Sequence, residues 1–412
     1  MEEGFSNEPW MIPPLSFSLV CRSWRALVLS RPKLWSEMLV DLRFEPDENY
    51  RGPPIPQILK KWLNLSNPAT LWIRLFLKGD GRGYITESIL PLFLSECHRW
   101  GFAFVDVAPG WSTGIPPFEP TAFTVPCFPP LTHLSLTVQG VSAQTGYADL
   151  SQYVSENGSH LESLKVGRGA SVRLPQSRDA LQLPRLLSLY FQSSDEGGNL
   201  EDIRTILCAS PNLEGMDLYL FTVNYILDLL ICPCLLQLKL YIQRSFRETE
   251  ITENSAFLEP LRIQDFLARS SSGRTPPLEH LTLEWFGYNA TAFPNHAFAL
   301  KRLLVFLKNL KTLKLHDNAL NRAVIELLHF RNGVIDGTQP CPLVSEMELT
   351  YEAMNRCGFS ELMVEDLIVN RWKAGHLRKA SLRFSTPHLT HLGLKERERI
   401  KQCIQEGLVF EY

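Results

Sequence analysis

The 412-residue chain has room for two or three domains of ordinary size, or for one elongated array. With 45% hydrophobic and 21% charged residues it has the composition of a folded protein, which excludes general disorder. Its net charge of −3, from 41 Lys and Arg against 44 Asp and Glu, argues against nucleic acid as a partner, because a phosphate track needs a basic stripe. The nine Cys residues are odd in number and irregularly spaced, and the polar, acidic start MEEGFSNEPW is not a secretory signal. Reduced thiols and an intracellular location, cytoplasmic or nuclear, are therefore expected. The most apolar run, YILDLLICPCLL at 225–236, is broken by Asp228 and Pro233 and is too short to cross a bilayer, so no membrane is expected.

Residues 18–38, SLVCRSWRALVLSRPKLWSEM, come first in chain order. Leu19, Val20, Trp24, Leu27 and Val28 recur at helical spacing. Pro32 ends that helix, since the residue before a proline is pushed out of the α region. Leu34, Trp35 and Met38 then predict a second apolar turn. The segment is too small to hold its own core and must pack on the rest of the chain, on a partner, or on both. FEPDENYRGPPIP at 44–56 separates it from the remainder of the chain and places a domain boundary at 45/46.

A short phrase then recurs, and such repeats decide an architecture. It reads PPLTHLSLTV at 129–138, SHLESLKVGR at 159–168, PRLLSLYFQS at 184–193, PNLEGMDLYL at 211–220 and PCLLQLKLYI at 233–242. It returns as PPLEHLTLEW at 276–285, KNLKTLKLHD at 308–317, PLVSEMELTY at 342–351 and GHLRKASLRF at 375–384. Weaker copies stand at 68–77 and 98–107. The skeleton is L-x-x-L-x-L, and its first apolar positions lie 30, 25, 27, 22, 43, 32, 34 and 33 residues apart. Its second half has the two-residue period of a strand.

Helical spacing fills the gaps at 200–210, 223–232, 256–269, 297–308, 320–331 and 361–373, with Asn199 and Ser360 as N-caps. The seven Pro residues of 108–130 predict a long loop, and the polar stretch 243–255 an exposed insertion. Residues 392–408 suit a capping helix with a charged outer face. Strands alternating with helices predict an α/β fold, specifically a parallel solenoid in which stacking buries each unit's Leu face. A doubly wound sheet also alternates and is the competing architecture.

In such a solenoid the residues two, four and six after the first Leu leave the sheet on the side opposite the leucines. Adjacent strands lie about 4.8 Å apart, so these residues form continuous columns. Tyr190, Tyr219 and Tyr241 fall in three consecutive repeats, with Asp217 and Lys239 between them. Exposed Tyr beside charge is typical of an interface anchor, which makes these five the candidate substrate-binding residues.

No G-x-G-x-x-G, Walker A, G-x-S-x-G or H-E-x-x-H occurs, and CPC at 232–234 has no matching Cys/His pair. Neither catalytic residues nor a metal nor a cofactor is expected, and the chain reads as a binding protein and not an enzyme. A parallel β-helix enzyme acting on polysaccharide would be the rival from another class; helices between the strands would exclude that architecture.

The repeats resemble leucine-rich repeats of the longer, irregular type over about residues 60–390. They depart from the regular pattern, because no Asn or Cys consistently follows the last Leu and the spacings exceed that family's usual range of roughly 20–29 residues. VCRSWR at 20–25 and RPKLW at 31–35 resemble the second half of an F-box, a V-C-x-x-W-R helix followed by P-x-L-W. That resemblance implies a partial F-box over 1–45 and a leucine-rich-repeat-like solenoid over 46–412. It implies the substrate-recognition adaptor of a Skp1–cullin–F-box ubiquitin ligase. Val20, Cys21, Trp24, Leu27, Leu34 and Trp35 would form the box core and dock a Skp1-like linker and its cullin, while the concave repeat surface selects a protein substrate. The Leu-Pro-x-Glu helix that opens the family's box has no counterpart before Leu19. Loss of docking would make the chain a protein-binding scaffold without a ligase.

Overall fold

The computed structural model describes residues 17–42, 55–78, 89–108, 123–124, 131–138, 147–149, 160–167, 171–174, 181–192, 200–220, 226–228, 230–243, 253–286, 294–317, 319–329, 339–351, 359–384 and 393–411. They fall into two compact units, Met1–Leu183 and Pro184–Tyr412. The fold is α/β, and the paired strands of both units run parallel. The boundary expected at 45/46 lies outside the described residues.

The first unit opens with helix α1 (Arg22–Leu29), whose first turn is capped by Cys21: its Sγ accepts the Trp24 N–H at 3.5 Å. A 3₁₀ turn over Pro32–Trp35 comes next, then strand β1 (Glu37–Leu42). Met38 thus belongs to a strand, not to the expected second apolar turn. Met38 and Val40 are buried and Leu39 is exposed, a two-residue alternation that acquires meaning only beside the neighbouring strand. Helix α2 (Ile55–Leu65), strand β2 (Leu71–Lys78), helix α3 (Leu90–Leu94) and strand β3 (Trp100–Ala108) continue the unit. Both weaker copies of the repeat are therefore strands. The Pro-rich segment read as loop contains the two-residue strand β4 (Phe123–Thr124); residues 109–122 and 125–130 lie outside the described residues. After β5 (His133–Val138), β6 (Tyr147–Asp149), β7 (Ser163–Val166) and β8 (Ser171–Arg173), the unit holds strands in the order β1-β2-β3-β5-β7 and a small sheet, β4-β6-β8.

Two indoles lock α1 and α2 to this sheet. Trp35 is 2% exposed, and its indole N–H donates to the Val28 carbonyl at 2.9 Å. The Trp62 indole donates to the Trp35 carbonyl at 2.8 Å, with the two rings edge to face at 5.7 Å. Arg99 closes the end of α2: its guanidinium donates to the carbonyls of Leu63, Ser66 and Ala69 at 3.1, 3.2 and 2.8 Å. Leu63 lies in the last turn of the helix, with Ser66 and Ala69 just beyond it, and a cation there opposes the negative end of the helix dipole.

The second unit contains β9 (Ser188–Gln192), helix α4 (Leu200–Cys208), β10 (Gly215–Leu220), β11 (Gln237–Gln243), α5 (Glu253–Ser270) and β12 (His280–Phe286). It continues with α6 (Pro294–Phe306), β13 (Thr312–Asp317), α7 (Arg322–Leu328), β14 (Glu346–Tyr351), α8 (Glu361–Lys373) and β15 (Lys379–Phe384). It ends with α9 (Gly393–Glu396), α10 (Glu398–Gln405) and β16 (Val409–Glu411). Strand order matches chain order from β9 to β16 without reversal. A doubly wound sheet would reverse at a switch point, and a β-helix would lack the intervening helices.

One backbone device links successive rungs. The residue after each repeat's first apolar position offers its carbonyl to two N–H groups of the next repeat. Leu187 O takes Glu214 and Gly215 at 2.9 and 2.8 Å, and Glu279 O takes Lys311 and Thr312 at 2.8 and 3.0 Å. Leu236, Lys311 and Ser345 do the same. Asn212 and Asn309 add a second clasp, donating to the carbonyls of Pro184 and Pro276 in the preceding repeats at 2.8 and 3.0 Å.

The expected helices at 200–210, 256–269, 297–308, 320–331 and 361–373 are present within a few residues of those bounds. Ser360 caps α8 by accepting the Met363 N–H, whereas Asn199 lies outside the described residues. The helix expected at 223–232 does not form in its described part: 226–228 is a turn and 230–232 is irregular. Ile226, Leu227, Leu230 and Cys232 are all buried, so the apolar spacing was real, but Pro233 bars Cys232 from helix and the chain must turn back into β11 at once. The single capping helix expected at 392–408 is two short helices with an added edge strand after them. Leu394, Ile400, Cys403 and Leu408 are its buried residues. Of the polar insertion at 243–255, residues 244–252 lie outside the described residues.

Candidate interaction surfaces

Helix α1 buries one residue, Val28, and turns the rest of its apolar face outward. Leu19 is 74% exposed, and Val20, Trp24, Leu27 and Leu34 are exposed with it, as is Cys21. Phe17 leans on Trp24 at 5.9 Å. Of the six residues expected in a box core and docking surface, five are on the surface, and Trp35 alone is in the interior, where it anchors the segment. Large contiguous apolar exposure of this kind marks a contact surface more often than a bare monomer face.

In the second unit the alternation is strict through β10 and β11. Met216, Leu218, Leu220, Leu238, Leu240 and Ile242 are buried; Gly215, Asp217, Tyr219, Gln237, Lys239 and Tyr241 are half-buried on the opposite side. Register sets Tyr190 beside Asp217, Asp217 beside Lys239, and Tyr219 beside Tyr241. The rings of Tyr219 and Tyr241 stack at 3.8 Å and 2°, and Tyr190 leans on Tyr219 at 5.4 Å and 49°. Lys239 Nζ lies 3.4 Å from Asp217 Oδ2. All five expected substrate-binding residues are thus brought together in one patch. Burial pushes the phenols of Tyr190, Tyr219 and Tyr241 above the ordinary tyrosine range, and Asp217 reinforces the shift, so the patch is neutral apart from one ion pair.

The same columns continue as charge. His316 Nδ1 is 3.2 Å from Glu284 Oε2; since a carboxylate only accepts, Nδ1 carries the proton. Lys314 Nζ and Arg383 Nε lie 2.6 and 3.3 Å from the two oxygens of Glu348, which is buried. Burial alone would raise the Glu348 carboxyl, but the Lys314 hydrogen bond, with Arg383 and His316, outweighs it and holds the group below the usual carboxylate range.

A third cluster was not singled out from sequence. In the first unit Trp72 is stacked on Phe102 at 5.5 Å and 10°, Phe102 meets His133 at 5.8 Å, and Phe76 meets Phe104 at 5.1 Å. The signal was present in LWIRLFL at 71–77, whose alternation puts Trp72, Arg74 and Phe76 opposite Leu71, Ile73 and Leu75.

In the CPC stretch, Cys234 is exposed and Cys232 is buried, where its N–H donates to Ser270 Oγ at 3.0 Å and burial pushes its thiol up to about 12. Among the described residues no group of three or more His, Cys, Asp and Glu could hold a metal ion. None of the described helices is long and apolar enough to cross a membrane. Compared with models of known protein families, and with curated proteins, the chain gives no match.

Proposed function

We propose that the chain is the substrate-recognition adaptor of a Skp1–cullin–F-box ubiquitin ligase. The observation that carries this reading is the α1 surface. Val20, Trp24, Leu27 and Leu34 stand outward on a segment held rigidly from below by Trp35 and Trp62. Rigid, exposed apolar anchors lose little entropy on docking, which is what a permanent linker contact needs. On the second unit, the Tyr190–Tyr219–Tyr241 patch with Asp217 and Lys239 is the proposed substrate contact: large apolar rings with polar tips, neutral and already ordered.

The test is binding of the full chain to a purified Skp1-like linker. Wild type binds, and Leu27→Asp with Trp24→Ala weakens binding by roughly thirtyfold or more, as loss of interface hot spots does. An unaltered far-ultraviolet spectrum shows that the variant is folded. Wild-type chain that fails to bind the linker overturns the ligase reading and leaves a protein-binding scaffold.

A further inference from the structure

We propose that the outer edge of strand β1 is a β-augmentation site: it takes an extended polypeptide segment as an added parallel strand, one that sets a basic side chain beside Glu37 and an apolar one beside Leu39. The inference is independent of the ligase reading, since it uses neither the α1 surface nor the tyrosine patch.

The backbone of β1 defines the occupant. The Trp72 N–H donates to the Ser36 carbonyl at 2.8 Å, and the pairing runs from Glu37 beside Trp72 to Leu42 beside Leu77. Successive residues of a strand point their N–H and C=O groups to opposite sides. Ser36, Met38 and Val40 therefore turn theirs to β2, and Glu37 and Leu39 turn theirs away from it. Among the described residues no strand pairs with that side, since β1 is first in the strand order. The side chains agree. Leu39 is 51% exposed and Glu37 is exposed, whereas the outward residues of the interior strands β10 and β11 are half-buried between their neighbours. A row of donors and acceptors at strand spacing is matched by another extended backbone.

β1 also lacks the devices that blunt an edge. It pairs with β2 over six residues without a shift and contains neither proline nor glycine. Between β2 and β3, by contrast, Leu71 pairs with Trp100 and Trp72 with Phe102, so Gly101 is the extra residue of a β-bulge. The last strand of the second unit, β16, is only three residues long.

Charge fixes what else the added strand carries. Parallel register sets its residues beside Glu37, Leu39 and Asp41, an apolar side chain between two acids. Glu37 has no ion pair among the described residues. Lys or Arg on either side of an apolar residue complements that order. The same edge of a second copy would bring acid against acid, which repels.

The experiment measures binding of the full chain to short synthetic peptides centred on Lys-x-Ile-x-Lys, with x varied, and to the same set with Glu for Lys. The tightest Lys peptides should bind wild type, and bind Leu39→Pro at least roughly tenfold more weakly, because proline removes an edge N–H and leaves the ladder to β2 intact. N-methylated peptides test the same contact without any change to the protein. Methyl groups at the x positions, whose N–H groups face β1, should abolish binding, and methyl groups at the Lys and Ile positions should not. The proposal is overturned if no Lys peptide binds, if the Glu peptides bind as tightly, if folded Leu39→Pro binds as well as wild type, or if the effect of N-methylation does not alternate. A wild-type chain that sediments as a dimer, with Leu39→Pro a monomer, would also overturn it, in favour of a second copy on this edge.

Discussion

The outward faces of β1-β2-β3 and of β9 to β16 arise from the same two-residue alternation, and they are finished differently. On the second unit the columns pair side chain with side chain: tyrosine stacks on tyrosine, Lys239 meets Asp217, His316 meets Glu284, and Glu348 takes two cations. On the first unit Trp72 and Leu39 stay open, and Arg74 Cζ lies 5.7 Å from the centre of the Phe102 ring. The difference teaches that register decides which residues become neighbours, while the chemistry of those neighbours decides how much binding capacity is left over. A self-paired column stabilises its own sheet and holds its side chains in fixed positions; an unpaired one leaves apolar surface open.

The comparison breaks first in the interior, where the two units share a device. Arg99 and Arg371 are both buried, and both donate to backbone carbonyls at and beyond the end of a helix. Arg371 donates to Leu328, Pro340 and Cys341 at 2.9, 3.1 and 3.2 Å, and desolvation lowers its pKa to about 10. Arg371→Met takes hydrogen bonds from the buried Leu328, Pro340 and Cys341 carbonyls and should cost about 3 kcal/mol in urea unfolding. Arg99→Met should cost less, because Ser66 Oγ and the Ala69 N–H still serve the Leu63 and Ser66 carbonyls. A near-neutral result for one would mean that the units do not share this device.

The outward faces should then diverge. Tyr219→Ala removes a ring packed between two others and should cost about 2 kcal/mol. Trp72→Ala removes a larger ring but one that is half open, and should cost about 1 kcal/mol or less. The reverse order would show that the first face is as closed as the second.

Acid sharpens the contrast further. The Glu348 carboxyl is held down in the folded chain, so its stabilisation is fully present above the unfolded carboxylate range near about pH 4.3 and is lost as pH falls through the lower folded value. Glu348→Gln should cost about 1 kcal/mol at neutral pH and flatten that acid loss in thermal melts from neutral to strongly acid solution. The smallest effect is alkaline. The three phenols are raised when folded, so their contribution is complete below about pH 10 and declines as pH rises beyond it. Ultraviolet titration should find tyrosines ionising above the ordinary range, and Tyr219→Phe should reduce their number.

Much of this arrangement was legible from residue order. L-x-x-L-x-L located the strands of the second unit, and Ser360 announced the start of α8, because a leucine face and a cap are written within a few residues of each other. The contents of each outward column could be read for the same reason. The failures share a cause. Met38 looked helical and 223–232 looked helical, because apolar spacing records burial without recording what does the burying. The strands β1 and β16 were invisible in EMLVDL and VFE: an edge strand is defined by the neighbour it pairs with, and that neighbour is remote in the chain.

By itself, then, the sequence determined the α/β alternation, the side of the sheet on which each residue stands, and the apolar character of residues 18–38. Only the tertiary structure decided that Tyr219 would lie flat on Tyr241, that Trp35 would turn inward while Trp24 stayed out, and that Trp72 would stack on Phe102. Periodicity is a local property of the backbone and can be read one segment at a time. Register, a bulge of one glycine and the pairing of charges are set between strands that meet only when the chain is folded.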